Sequence, residues 1–298
     1  MTPAPQHGNA LRVSEVTSNL RSISYDFLHV LEYEMGLAEN TNLDMGTTIV
    51  SVDIDVGHEE VGLRNQGRND LNVSSFMSER QIGRIEQDAL PILLDCLDSY
   101  DMPATLAFRG QLFDVSPQSA EMVLDRSKYD IGGHGYYHKN FIDLTRLEAE
   151  HELEMLQEGM KKFNLVPRSF VFPRNGIHHL DVLRAFGYSC FRSEGGFPNN
   201  KMLIEMVAGL CSIHPTFYID QRTSLFALKR LTDVAARKTC PAHFWFHLWS
   251  LGYNVSTIQG TIDRVFHPWL AYVDKLRDQG TITVKTMREV AESRKTQE

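Results

Sequence analysis

Cysteine is scarce in this chain, and the four present, Cys96, Cys190, Cys211 and Cys240, lie far apart with no Cys-x-x-Cys among them. That spacing supports neither a zinc ribbon nor a disulfide framework, and it predicts four reduced, buried thiols. No hydrophobic run approaches the length that crosses a bilayer, and the opening MTPAPQHGNALRVSEV has no basic stretch leading into an apolar one. The expectation is a cytoplasmic protein without a membrane span. Lys/Arg tracts and basic stripes interleaved with aromatics are missing too, and the formal net charge is −8, so no nucleic-acid partner is expected. Internal repeats and low-complexity tracts are absent.

What is present is an ordinary globular composition, 42% hydrophobic and 23% charged, over 298 residues. That length accommodates one large α/β domain. Residues 1–46 read as an N-terminal extension. It is Pro-rich and polar, hence disordered, to about residue 10, and then helical, with Leu20, Ile23, Phe27, Leu28 and Leu31 at helical spacing. From 47 to 298 strand and helix signals alternate with short connections, which predicts a parallel sheet or barrel. Strands are expected at 47–57, 103–113 and 130–138, at the start of 168–176, 188–196 and 240–252, and in 282–292, where a short strand and helix close the chain. Helices are expected at 78–100 (Ser78 as cap, Pro91 as a kink), 119–127, 144–164, 179–187, 225–236 and 262–279. In the 144–164 helix the buried stripe is read as Leu147, Leu153, Leu156 and Met160. Residues 58–76 form a long polar loop suited to lining a site, and 194–222 show no regular pattern.

Chemistry concentrates in residues 130–141, DIGGHGYYHKNF, where His134 and His138 stand four apart after a strand and a Gly-Gly break. Alone, such a pair fits either a metal site or two histidines bonded to their own backbone. A second polar group stands upstream. In TTIVSVDIDVG, period-2 alternation puts Val50, Val52, Ile54 and Val56 on one face and Ser51, Asp53 and Asp55 on the other. Two carboxylates on one face of a strand this apolar require a cation or an arginine nearby.

With DxD ending one strand, HxxxH two β segments later, FVFPRN and a late HLWS, residues 47–293 resemble the polysaccharide deacetylase family, carbohydrate esterase family 4. The resemblance implies a distorted (β/α) barrel, seven-stranded in most members, with the site at the C-terminal strand ends. Carried over by position, it implies Asp55, His134 and His138 as metal ligands, Asp53 as catalytic base and His247 as general acid. Two departures stand out. Ile54 separates aspartates that are adjacent in most of the family, and Val171 occupies the place of the arginine that orients the base. Arg174, next to Pro173, could reach the same carboxylate in its place, and reads equally as a solvated loop side chain. His243 is a runner-up acid that reads better as a core histidine. His58, His178, His179, His214 and His267 read as surface or loop residues.

The implied enzyme is a metal-dependent carbohydrate deacetylase, a hydrolase of a linear amide C–N bond. Zinc is the default for two imidazoles and a carboxylate, and cobalt, nickel, iron and manganese also suit the ligand type. The expected partner is an N-acetylated sugar or a sugar precursor in glycan assembly, and homo-oligomerisation is left open. Arg64, Arg68, Arg109 and Arg192 lie in or near strand-end loops that could hold a phosphate-bearing donor, though each alone reads as a surface arginine. Tyr136, Tyr137, Trp245 and Trp249 could stack on a sugar or simply pack. Two further readings stay open, a cyclic imide or ureide amidohydrolase on the same fold and a catalytically inactive carbohydrate-binding protein.

Overall fold

Strand β1 (Gly46–Ile54) is buried along its whole length and pairs on both edges. Its β-branched run GTTIVSVDI suits a strand covered on both faces. On one edge it pairs in parallel with β9 (Pro241–His247) over Thr47–Asp53. The other edge is shared: β10 (Ile282–Val284) pairs with its first residues and β2 (Ala104–Phe108) with its last, both parallel. Beyond β2 the sheet continues in parallel through β3 (Tyr129–Gly133), β4 (Ser169–Val171), β5 (Cys190–Arg192) and β7 (Leu210–Ile213). β6 (Ile204–Val207) lies antiparallel on β7, and β8 (Phe217–Tyr218) lies beside β9. The chain is seen in a computed structural model that describes residues 26, 28, 30, 31, 33, 34, 43, 45–55, 85–194, 203–252 and 254–295.

The sheet is rolled, and two facts require it. Arg192 on β5 bonds Asp53 on β1, four strands away in the ladder order, a separation of about 19 Å in a flat sheet, well beyond the reach of an arginine. In addition, residues 214–216 alone carry the chain from β7, at one side of the sheet, to β8 at the other. Helices cover the outside: α1 (Ile85–Asp98), α2 (Leu112–Val115), α3 (Pro117–Leu124), α4 (Arg146–Lys161), α5 (Leu180–Ala185), α6 (Leu225–Lys238), α7 (Val255–Thr261), a π-helical turn at Ile262–Phe266, and α8 (His267–Asp278). A last helix, α9 (Met287–Lys295), packs near the N-terminal ends of the strands, its Met287 N–H donating to Thr105 Oγ1.

Alternation sorts the strand residues between two cores. Val50, Val52, Ile54, Leu106, Phe108, Phe170, Phe244 and Phe246 face outward into the main core with Leu93, Leu97, Leu156 and Trp269. Ile49, Ala107, Val171, Cys190, Cys211 and Ile213 form a smaller cluster inside the roll, with Met287 and Val290 of α9. That plug fills the N-terminal end with apolar groups and leaves the polar inward residues at the other. All four cysteines are buried and free.

Several expectations change. Among the described residues nine strands pair in parallel and β6 antiparallel, where seven strands were expected; the surplus comes from the irregular stretch 203–218, which folds into β6, β7 and β8. Leu147 is 75% exposed. It lies half a turn away from Leu156 on α4, and the buried stripe is Ala149, Glu152, Leu153, Leu156, Gly159 and Met160. α1 runs through Pro91 as one helix. Ser78, residues 1–25, the polar loop 58–76 with His58, Arg64 and Arg68, and residues 195–202 lie outside the described residues. In the N-terminal extension the described residues from Asp26 to Glu34 are helical and dock on α6 and its N-cap: Asp26 Oδ2 accepts from Ser224 N and Oγ, and Glu34 pairs with Arg230 and Arg237.

Candidate metal centre and active site

Asp53 near the C-terminal end of β1 and Asp55 just past it point inward and are fully buried. Register places Asp53 opposite His247 on β9 and Ala107 on β2. β3 ends in Gly132 and Gly133, and His134 follows with its N–H on the Phe108 carbonyl. Gly133 has to be small, because a Cβ there would meet Leu156 Cδ2 at 2.6 Å and Tyr188 Oη at 2.9 Å. The chain then turns through Gly135 (φ +64°) to His138, itself left-handed at φ +61°.

These elements bring Asp55, His134 and His138 together with their ligand atoms all within 4.8 Å of one another, and all three are buried. His138 Nε2 lies 3.1 Å from His134 Nε2 and 3.7 Å from Asp55 Oδ2. His134 Nδ1 is 2.8 Å from the Val171 carbonyl. A carbonyl only accepts, so Nδ1 carries the proton and Nε2 turns its lone pair toward His138 and Asp55. Trp249 Nε1 donates to Asp55 Oδ1 at 3.2 Å. The donor set of two imidazole nitrogens and a carboxylate oxygen thus fits a divalent transition metal.

Asp53 and His247 form a second pair against the first. His247 Nε2 is 3.5 Å from Asp53 Oδ2 and 3.7 Å from Asp55 Oδ2, and the Tyr218 hydroxyl lies 3.5 Å from His247 Nδ1. Asp53 is gripped by Arg192, whose two terminal nitrogens donate to Oδ1 and Oδ2 at 2.7 and 2.6 Å. Burial by itself would raise the Asp53 carboxyl; the Arg192 guanidinium, with His134 and His247, overrides it and holds the group well below the usual carboxylate range. Arg192 also lies over the Trp245 ring, 4.2 Å from its centre, and donates to Ser51 Oγ. His243, one layer deeper, bonds Ser51 Oγ at 2.8 Å, and burial, with Arg192 and His214, pushes its pKa well below the ordinary histidine value. It is a neutral core histidine.

Of the residues singled out in the sequence, Asp53, Asp55, His134, His138 and His247 converge. Arg174 is exposed on the 3-10 turn Pro173–Asn175 after β4. The fork on Asp53 comes instead from β5. Arg192 and Arg109 are buried rather than surface phosphate holders, and His214 is buried and bonded to Ser193. Sequence reasoning missed Arg192 as the partner of Asp53, Trp249 on Asp55, and the bonds of Arg109 and Glu152 to the histidine loop. One signal for Arg192 was available: it alternates with Cys190 onto the inward face of a strand that ends in polar residues.

Comparison with known proteins agrees with this geometry. The polysaccharide deacetylase family model matches residues 82–190, which contain both histidines of the triad, while Asp53, Asp55 and His247 reach the site through the fold. No curated protein matches the chain. Among solved structures, a candidate polysaccharide deacetylase from Mycobacterium smegmatis superposes with TM-score 0.61 at 13% identity, over 87% of this chain and 94% of that one. A carbohydrate esterase family 4 pseudoenzyme from Bacillus anthracis gives TM-score 0.51 at 17% identity, over 84% and 66%. The 4-alpha-glucanotransferase of Thermococcus litoralis gives TM-score 0.58 at 12% identity, over 83% and 40%. At such identities the likeness is one of fold, a rolled parallel sheet of the polysaccharide deacetylase (β/α) barrel type.

Proposed function

We propose that this chain is a metal-dependent hydrolase that removes the acetyl group from an N-acetylated amino sugar, in a glycan or a glycan precursor. The observation that carries the reading is one of placement. A buried Asp55/His134/His138 group and an Asp53–His247 pair share one end of the roll, less than 4 Å apart at Asp55 Oδ2 and His247 Nε2. Zinc is the proposed ion, held by those three residues; when bound it would supply Lewis acidity toward the acyl oxygen and acidify a water.

The protein groups then divide the proton traffic. Asp53, kept ionised and oriented by the Arg192 fork, accepts the proton of the attacking water. His247 delivers a proton from Nε2 to the departing sugar nitrogen, which leaves as the amine while the acyl carbon leaves as acetate. Trp249 keeps Asp55 Oδ1 occupied and so turns Oδ2 toward the histidines. Tyr137 and Trp249, half-exposed and close to the histidines in sequence, are the aromatics proposed to meet a sugar ring.

The test is elemental analysis of protein purified without added metal, beside His134→Ala and Asp55→Ala, followed by acetate release from N-acetylated chito-oligosaccharides. About one equivalent of transition metal in the parent and little in the variants is expected. Acetate release should fall on the order of 100-fold or more in His247→Ala with metal retained. A parent protein that takes up no zinc, cobalt or nickel on reconstitution would sink the reading. Metal uptake with turnover of a small cyclic imide, and none of the acetylated sugar, would move it to amidohydrolysis of imides.

A further inference from the structure

The loop between the two histidines, residues 135–137, has no partner strand, yet it holds a conformation that side chains resist. His138, which closes it, is left-handed at φ +61°, a region that residues with a Cβ avoid. Such a loop stays in place only if its backbone groups are held. The carbonyls of Gly135 and Tyr136 accept from Gly110 N and Gln111 N at 2.8 and 3.3 Å. The remaining bonds come from two buried charged side chains. Glu152 Oε2 accepts both the Tyr136 and Tyr137 N–H groups, each at 2.9 Å. Arg109 donates to the Tyr137 carbonyl at 3.3 Å and to Gln111 Oε1 at 2.7 Å.

Glu152 stands where α4 alone would favour an apolar residue, between Ala149 and Leu153 in the buried stripe. Burying a carboxylate there is unfavourable unless it is hydrogen-bonded. The helix itself does not need it: α4 is closed by the Thr145/Glu148 capping box and anchored by Leu153, Leu156 and Met160. The carboxylate spends its hydrogen bonds on Tyr136 and Tyr137, two of the three residues that separate the histidines.

We infer that Glu152 and Arg109 are positioning residues that hold the 135–137 loop so that His134 and His138 present their Nε2 atoms to one ion. The inference rests on the metal reading above and deepens it. The test uses cobalt(II) as the probe on the full chain, reading affinity by titration and coordination by the visible absorption of the bound ion, with folding followed by circular dichroism. Glu152→Ala and Arg109→Met should bind cobalt about 10- to 100-fold more weakly, with an altered spectrum, while remaining folded. Glu152→Gln, whose amide oxygen can accept both N–H bonds, should recover affinity and spectrum. A folded Glu152→Ala with parental affinity and spectrum overturns the inference and leaves the metal site standing. Should Glu152→Ala not fold, parental cobalt binding by Arg109→Met overturns it instead. A parent chain that binds no cobalt overturns both.

Discussion

Arg192 and Asp53 form a two-pronged ion pair with each side chain about 2% exposed. In a site so dry, removing one partner leaves a buried charge without compensation, which costs about 3–5 kcal/mol, while replacing both by apolar groups is close to neutral. Arg192→Met should therefore lower the urea unfolding free energy by that amount. Adding Asp53→Leu to the same chain should restore most of the stability and none of the acetate release. A single Arg192→Met variant as stable as the parent would mean that the fork does not carry Asp53. Arginine was expected on this carboxylate, since two carboxylates on one inward face demanded a cation. The sequence points to Arg174 and not to Arg192, because only the roll of the sheet brings β5 opposite β1.

β2, β3, β4 and α9 meet at a buried polar node remote from the site. Asp130 Oδ2 accepts from Thr105 Oγ1 and Ser169 Oγ, and Thr105 Oγ1 in turn accepts the Met287 N–H at the start of α9. Burial raises the Asp130 carboxyl above its ordinary value of 3.8, against the hydroxyls of Ser169 and Thr105, which favour the ionised form. With a raised folded pKa the native chain keeps a proton that the unfolded chain has released. Its contribution to stability is therefore present below the ordinary value and lost as pH rises through the folded one. Asp130→Asn should match the parent near pH 3 and exceed it near pH 7 in urea unfolding. A gap that widens toward low pH would contradict the assignment. The neighbouring tight point is Gly133, where Ala would push into Leu156 and Tyr188. Gly133→Ala should cost about 1–3 kcal/mol in the same assay, and an unchanged midpoint would show that α4 can move aside.

For the molecule as a whole, an ion held by Asp55, His134 and His138 ties β1 to the loop after β3, so metal and fold should stabilise each other. At a free zinc concentration about 100-fold above its dissociation constant the gain is about 2.7 kcal/mol, which for a chain of this size raises Tm by roughly 5 °C. Asp55→Ala and His134→Ala should show no such rise. A parent chain whose Tm ignores zinc would count against a site formed only in the folded state. No helix among the described residues is long and apolar enough to cross a membrane.

The strand and helix rhythm and the shared face of Ser51, Asp53 and Asp55 can be read from the chain, because alternation and helical period are local properties that survive without a fold. The spacing of His134 and His138 singles them out, and His247 is named only through the family resemblance. Tertiary structure decided the rest. The buried stripe of α4 includes Glu152, which accepts two N–H groups of the loop beside it, and leaves out Leu147, half a turn away from Leu156. The partner of Asp53 lies 139 residues further along the chain, and β6, β7 and β8 rise from a stretch with no period to read. Those are long-range facts. They follow from how far a strand's neighbour can lie along the chain, a distance that neither propensity nor spacing encodes.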